Sequence, residues 1–192
     1  MADESRFESL RESCLACTRC ALRAGCRGVV FGVGPVPADL MFIGEGPGEQ
    51  EDLQGEPFVG PAGKLLDDFL CAVGISRESV YIANIVKCRP PHNRDPLPEE
   101  QESCIPWLRA QTKLIAPKII VCLGRIAAQR IIKPDFRIMR EHGQWVEKGT
   151  IAMTATFHPS ALLRDPRNRA AAYEDFISIA ERRAALYGRA RD

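Results

Sequence analysis

The strongest constraint on the fold is an alternation of apolar runs with segments whose apolar residues recur at helical spacing. The apolar runs cover residues 39–44, 79–86, 118–124 and 150–157. Continuous apolar runs of this length suit strands that are covered on both faces, and their alternation with helical patterns is typical of a parallel sheet with crossover helices. The sequence therefore predicts an α/β fold around a mainly parallel, four-stranded sheet.

Helices are predicted between and after these strands. They are one over 65–73 that stops at Gly74, one that opens at Pro98 and runs towards Ile115, one over 125–132 and a closing helix over 168–186. In an open parallel sheet, a ligand lies beyond the carboxyl ends of the strands. The loops that begin at Glu45, Lys87, Arg125 and His158 are therefore expected to surround a functional site.

The size of the chain predicts one domain. It has 192 residues, of which 45% are apolar and 27% charged, which is enough to bury a core. We expect a single domain over 1–192, with an N-terminal helix or extension over 1–12 and a C-terminal tail over 187–192. No apolar run approaches the roughly 20 residues that span a bilayer, and the first residues are too charged for a signal peptide. These features predict a cytoplasmic monomer without a membrane partner.

The charge balance limits how the chain can bind nucleic acid. Its formal net charge is only +1 at pH 7, which excludes a globally basic surface. A nucleic-acid partner would have to be held by local basic clusters, which are Lys87, Arg89 and Arg94 in one stretch and Arg164, Arg167 and Arg169 in another. Taken alone, such clusters are more often solvated surface.

Eight cysteines are many for a reducing compartment, where thiols serve metals or chemistry more often than disulfides. A C-x2-C pair and two later cysteines offer a four-thiolate shell, formed by Cys17, Cys20, Cys88 and Cys104. Cys14 and Cys17 have the same spacing, so the residues alone do not decide between the pairs. Zinc and iron–sulfur both accept four thiolates, and unrelated free thiols are a third interpretation. Two cysteines inside apolar runs are expected in the core, Cys71 and Cys122.

Four separated sequence blocks carry a family resemblance. They are G-E-G-P-G-E-Q-E-D over 44–52, P-F-V-G over 57–60, N-I-V-K-C-R-P-P over 84–91 and H-P-S over 158–160. Together they resemble the family-4 uracil-DNA glycosylases, the iron–sulfur branch of the uracil-DNA glycosylase superfamily. Four blocks in order are highly specific, and the resemblance covers nearly the whole chain from Cys17 onward. It implies a three-layer αβα sandwich that hydrolyses the N-glycosidic bond of uracil in double- or single-stranded DNA and leaves an abasic site.

The resemblance also implies a 4Fe-4S cluster with a structural role. Its ligands would be Cys17, Cys20, Cys88 and Cys104, which leaves Cys14 and Cys26 outside the set. The cluster would attach the N-terminal segment and the 88–104 loop to the body of the domain. No lysine falls within the pocket motifs apart from Lys87 beside a cluster ligand, so we expect a monofunctional enzyme that uses water and forms no Schiff base.

Each expected pocket residue has its own role in this resemblance. Phe58 would stack on the uracil, which must be extruded because a base inside a duplex is unreachable. Asn84 would satisfy uracil N3–H and O4 with one amide, an orientation that rejects cytosine. His158 would donate a hydrogen bond to O2 of the departing base, which gains negative charge as the bond breaks.

The resemblance assigns the acidic residue of the site less directly than the other pocket residues. The better-known branch of the superfamily has an aspartate where this chain has Gly46, so that water-activating base is not carried over. The resemblance instead nominates Glu45, with Glu51 as a helper, to orient water and stabilise the cationic sugar. Gly46 would let the backbone approach the base. The alternative is that Glu49, Glu51 and Asp52 form a solvated acidic turn.

The segment after the fourth strand joins a histidine to apolar residues and then to an arginine. Its composition suits insertion beside a flipped nucleotide and contact with phosphate. In the resembling family this loop enters the minor groove, which nominates Pro159, Ser160, Leu162 and Arg164 as DNA contacts. The alternative is an ordinary helix start whose leucine pair is buried in the core.

Two other functions compete with a hydrolase. One is a relative that traps the abasic sugar covalently through a loop histidine, and His92 lies in roughly that region, although the longer basic insert of that branch is missing. The other is a non-catalytic DNA-binding module whose four-cysteine site only organises the structure.

Overall fold

The computed structural model describes residues 2–188, so Met1 and positions 189–192 of the predicted tail lie outside the described residues. The strands are β1 (Leu40–Gly44), β2 (Tyr81–Asn84), β3 (Ile119–Leu123), β4 (Val146–Lys148) and β5 (Ile151–Thr156). The helices are α1 (Ala2–Leu15), α2 (Leu22–Gly25), α3 (Glu49–Gln54), α4 (Pro61–Ala72), α5 (Pro98–Ile115), α6 (Arg125–Ile131), α7 (Ile138–Glu141), α8 (Pro159–Arg164) and α9 (Arg169–Gly188). Short 3-10 turns cover Arg77–Ser79, Pro91–Asn93 and Pro166–Asn168. None of the helices within residues 2–188 is both long and apolar enough to cross a membrane.

The strands of the described residues form one sheet in the order β2-β1-β3-β5-β4. β1, β2, β3 and β5 are parallel, whereas β4 runs antiparallel to β5. The strands predicted from the four apolar runs are confirmed, but the predicted number of four is one short. β4 has the sequence Val-Glu-Lys and is exposed along its three residues, so no apolar run marks it.

Each face of the sheet has its own core, because successive strand residues point to opposite sides. On one face, Met41 and Ile43 of β1 pack in a cluster that contains Leu108 of α5. On the other face, Leu40 and Phe42 pack in a cluster with residues of α4 and α9. Helices on both faces of a mainly parallel sheet make the three-layer αβα sandwich that the resemblance implies.

Three stacked phenylalanines join α4, α9 and β1. The Phe176 ring of α9 stacks on the Phe69 ring of α4 with centroids 4.9 Å apart, and on the Phe42 ring of β1 at 6.0 Å. Stacked aromatic pairs stabilise a core beyond the area that they bury. The stack fixes the position of α4, which begins directly after the 57–60 block.

The register of the sheet brings the carboxyl ends of its parallel strands to one edge. Gly44 at the end of β1 pairs with Asn84 at the end of β2, and Leu123 of β3 pairs with Thr156 of β5. The loops that follow these residues therefore begin beside one another, as predicted.

Replacement of Phe176 by alanine is expected to lower the free energy of unfolding by about 3–5 kcal/mol, because it opens a cavity between α9, α4 and β1. Equilibrium unfolding in guanidinium chloride, followed by circular dichroism, measures the change. Tyr173→Ala on the same helix is the control, since Tyr173 is 38% exposed. Equal midpoints for the two variants would contradict this account of the core.

Candidate active site

A cavity of about 190 Å³ lies at the carboxyl edge of the sheet. Its walls are Glu45, Gly46, Pro47, Gly48, Glu51, Phe58, Ala62, Asn84, Pro90, Asn93, Arg94, His158, Ser160 and Arg164. The loops after β1, β2 and β5 contribute most of these residues. The structure thus brings together every side chain that was predicted to bind uracil or to act in catalysis.

The Phe58 ring forms one wall and is held in an unusual backbone conformation. Its φ of 53° lies in the left-handed region, which non-glycine residues rarely adopt. The next two backbone N–H groups, of Val59 and Gly60, donate to Glu51 Oε1 at 2.9 and 2.8 Å. The ring faces His158 with centroids 5.6 Å apart.

Glu51 joins two loops of the site. Besides the two bonds at Oε1, its Oε2 accepts the backbone N–H of Gly48 at 3.0 Å. A carboxylate that accepts several backbone N–H groups is strongly fixed in place. Glu51 therefore attaches the loop after β1 to the Phe58 loop, and both of its oxygens are engaged in doing so.

Asn84 presents an unsatisfied acceptor at the end of β2. Its side chain is 1% exposed, and Oδ1 has no hydrogen-bond partner within the described residues. A buried acceptor without a donor costs about 1–3 kcal/mol, so a ligand that supplies an N–H would be favoured there. Gly44 makes this position accessible, because a Cβ at residue 44 would collide with Asn84 Oδ1 and with the Phe58 ring.

The imidazole of His158 is fixed in one tautomer. His158 precedes α8, and its Nδ1 accepts the backbone N–H of Ser160 at 3.2 Å and lies 2.8 Å from Ser160 Oγ. Burial and, to a smaller extent, Arg164 lower the pKa of His158 to about 4, whereas Glu51 opposes the shift. The ring is therefore neutral near pH 7 and carries its proton on Nε2. Gly124 leaves room for it, since a Cβ there would lie 2.7 Å from His158 Cβ.

Glu45 is a half-buried carboxyl that directly follows β1. Burial and, second, the Asp95 carboxylate raise its pKa to about 7, while Arg125 and Arg164 oppose the rise. Asp95 pairs with Arg125 at 2.6 Å between carboxylate and guanidinium. A carboxyl with such a pKa is able to change its protonation state near neutral pH.

The α8 segment differs from its prediction in one respect. Leu162, one of the nominated DNA contacts, is only 1% exposed and packs in the core, so it does not project towards a partner. Leu163 is 42% exposed and takes the outward position. Pro159 is buried in the first turn of α8, whereas Ser160 and Arg164 line the cavity.

Several residues near the cavity were not assigned to the pocket from the sequence, although Arg94 was named in a basic cluster and Arg125 at the start of a loop expected to surround the site. Asn93 and Arg94 line it, and Asp95 and Arg125 act on the Glu45 carboxyl. Asn93 has a left-handed φ of 55°, and its Oδ1 accepts a hydrogen bond from Arg89 Nε at 2.8 Å. The only signal for this turn is the N-R-D-P sequence over 93–96, and it does not show which side chains face the site.

A second cavity lies between the N-terminal segment, the loop after β2 and α5. Five thiols line it, those of Cys14, Cys17, Cys20, Cys88 and Cys104. Trp107 Nε1 donates to Cys17 Sγ at 3.3 Å, and the backbone N–H of Lys87 donates to Cys104 Sγ at 3.2 Å. In residues 2–188, no three His, Cys, Asp or Glu side chains are arranged to hold a single metal ion.

The remaining cysteines divide differently from the expectation. Cys122 is buried in β3, as predicted. Cys71 is exposed, because it lies on the outer side of α4, so its assignment to the core is wrong. Cys26 does not line the cysteine cavity, and its Sγ accepts a hydrogen bond from Arg23 Nη1 at 3.8 Å.

Comparison with known proteins agrees with this geometry. The model of the Uracil DNA glycosylase superfamily matches residues 31–179. A type-4 uracil-DNA glycosylase of Archaeoglobus fulgidus is 45% identical over 188 residues, which cover 93% of each chain. The corresponding protein of Thermotoga maritima is 44% identical over 86% of this chain and 87% of its own, and that of Sulfurisphaera tokodaii is 42% identical over 91% and 84%. The chain therefore belongs to the uracil-DNA glycosylase superfamily and, within it, to the type-4 branch.

Proposed function

We propose that this chain removes uracil from DNA by hydrolysing the N-glycosidic bond and leaving an abasic site. One observation carries the proposal: Glu45, Phe58, Asn84 and His158 are far apart along the chain but line a single cavity. The relatives that match almost the whole chain are named type-4 uracil-DNA glycosylases. The activity places the protein in DNA repair.

Base recognition would depend on Asn84 and Phe58. The unpartnered Oδ1 of Asn84 accepts N3–H of an extruded uracil, and the amide NH2 donates to O4. Cytosine has an acceptor at N3 and a donor at C4, so both contacts would become repulsive. The Phe58 face stacks on the ring, which is worth about 1–3 kcal/mol per base.

Departure of the base would depend on His158. Because Nδ1 already accepts the Ser160 N–H, the Nε2–H is the group that donates to uracil O2. A neutral imidazole donor stabilises the developing anion without giving up its proton. A single donor of this kind lowers a barrier by roughly 3–4 kcal/mol.

Glu45 would act on water and on the sugar. As a carboxylate it orients a water for attack at the anomeric carbon and stabilises the oxocarbenium-like sugar. Glu51 has both oxygens engaged by backbone N–H groups, so we assign it a positioning role for the loops that carry Glu45 and Phe58.

Contact with DNA would come from the α8 segment. Ser160 and Arg164 line the cavity and would meet the phosphates that flank the extruded nucleotide. Leu163, rather than Leu162, is the apolar side chain that is able to fill the space left in the duplex. Pro159 starts α8 and sets the direction of this segment.

The cysteine cavity fits a 4Fe-4S cluster held by Cys17, Cys20, Cys88 and Cys104. In such a cluster each thiolate binds a different iron, so the thiolates surround a core instead of converging on one point. These four thiols line one cavity, which supports this arrangement. The bound cluster would supply a cross-link between the N-terminal segment, the loop after β2 and α5.

The competing functions have less support. His92 is exposed and is not among the residues that line the cavity, which disfavours covalent trapping by this side chain. A module that only binds DNA would gain nothing from the unsatisfied Oδ1 of Asn84 in the same cavity as the oriented, neutral imidazole of His158.

We also propose that the protein is a monomer and acts in the cytoplasm, where its thiols stay reduced.

An oligonucleotide with a single uracil tests the function. Purified protein is expected to release the base, and alkali then cleaves the strand at the abasic site. His158→Ala should slow release by about 100–1,000-fold, because the donor to O2 is lost. His92→Asn is the control, since asparagine tolerates the left-handed backbone of residue 92, and it should keep the rate. Absence of product from the wild-type protein would reject the proposal, and a denaturation-stable DNA adduct that His92→Asn abolishes would establish covalent trapping.

The rate of base release should depend on the protonation of Glu45. Only the carboxylate is able to orient water as a base, and its pKa is about 7. The single-turnover rate should therefore rise with pH through about 7 and then level off. Glu45→Gln should lower the rate by about 100–10,000-fold and remove this rise. Glu49→Gln, at an exposed position of α3, should keep it, and a profile unchanged in Glu45→Gln would exclude Glu45 as the group.

Truncation of Leu163 should affect duplex substrates most. Extrusion from a duplex costs a few kcal/mol and is aided by an apolar side chain that fills the gap, whereas single-stranded uracil needs no such help. Leu163→Ala is expected to slow release from double-stranded DNA by about tenfold, with a smaller effect on single-stranded DNA. Leu163→Met keeps the apolar volume and serves as control. An equal loss on both substrates would show that Leu163 does not act as the wedge.

A further inference from the structure

The side chain of Lys87 is buried at the cysteine cavity. It belongs to the loop after β2, lies between Val86 and Cys88, and is only 1% exposed. Within the part of the chain that the structure describes, its Nζ has no hydrogen-bond partner. It lines the same cavity as the cysteine thiols.

A buried ammonium without an acceptor is among the costliest groups in a protein. Lys87 is anchored at its backbone, where its carbonyl accepts the N–H of Val30 at 2.7 Å and its N–H donates to Cys104 Sγ. The residue shares the wall of the cysteine cavity with Cys14 and Cys104. The ammonium of Lys87 therefore needs an anion close to it on the side of the cysteine cavity.

The proposed cofactor is such an anion. Four thiolates around an oxidised 4Fe-4S core, which carries two positive charges, leave a net charge of −2, and reduction by one electron makes it −3. Net charge and hydrogen bonds to the sulfurs are the factors that set the potential of such clusters.

We propose that the ammonium of Lys87 is the buried counter-charge and hydrogen-bond donor of the iron–sulfur cluster. This inference rests on the proposed cofactor but not on the catalytic scheme. It gives the lysine of the K-C-R-P-P block a role beside the cluster, and not in DNA contact or in Schiff-base chemistry. Lys87 was named in a basic stretch that could bind nucleic acid. A buried ammonium is not available to phosphate, so the present role replaces that one.

Lys87→Met removes the charge and keeps much of the side-chain volume. Wild type, Lys87→Met and the control Lys64→Met, at an exposed position of α4, are purified without oxygen. Iron and sulfide content, the rate of iron loss to a chelator, and the reduction potential by protein-film voltammetry are measured on each. Outer contacts of metal sites typically change affinity by about 10–100-fold, so iron loss from Lys87→Met should accelerate by about that factor. Its potential should become more negative, because the reduced cluster loses more stabilisation than the oxidised one.

Lys87→Gln keeps an N–H donor without the charge and covers the case in which Lys87→Met does not retain iron. It should fall between wild type and Lys87→Met in both measurements. Iron loss and potential equal to those of Lys64→Met would overturn the inference while the cofactor stands. Wild-type protein without iron, and without the broad absorption of a cluster, would overturn the cofactor and this inference together, but not the glycosylase activity measured on DNA.

Discussion

The carboxylate of Glu51 is the contact on which the shape of the site depends. Its two oxygens bind backbone N–H groups from both sides of the cavity, those of Gly48, Val59 and Gly60. These bonds balance the left-handed backbone of Phe58, which would otherwise relax. Without them, the aromatic wall and the loop that carries Glu45 would have no fixed separation.

Much of the fold follows from the sequence because the central strands are buried on both sides. Such strands must be continuous apolar runs, and the order of runs and helices fixes a parallel sheet whose loops meet at one edge. That rule predicted that the loops at Glu45 and His158 lie together, whereas the family resemblance assigned Phe58 and Asn84 to the same pocket. The rule did not predict β4, because an exposed edge strand of three residues needs no apolar pattern.

Other features depend on geometry that no pattern records. The choice between Leu162 and Leu163 is set by the rotation of α8, a six-residue helix too short to show a period. Cys71 is a different case, because α4 has 12 residues and the apolar period of Leu66, Phe69 and Leu70 leaves Cys71 off the buried face. The tautomer of His158 depends on one backbone N–H, and the rise in the pKa of Glu45 depends on burial and on Asp95, so neither can be derived from residue types.

The buried acceptor of Asn84 also has a consequence for turnover. The contacts that we propose for uracil are made to the base, not to the sugar, so they would persist after the bond is broken. Release of the excised base would give up the N3–H donor at Asn84 Oδ1, a buried acceptor that is costly to leave unsatisfied. In this scheme free uracil would compete with uracil in DNA, and tighter discrimination at this amide would be accompanied by slower clearance of the excised base.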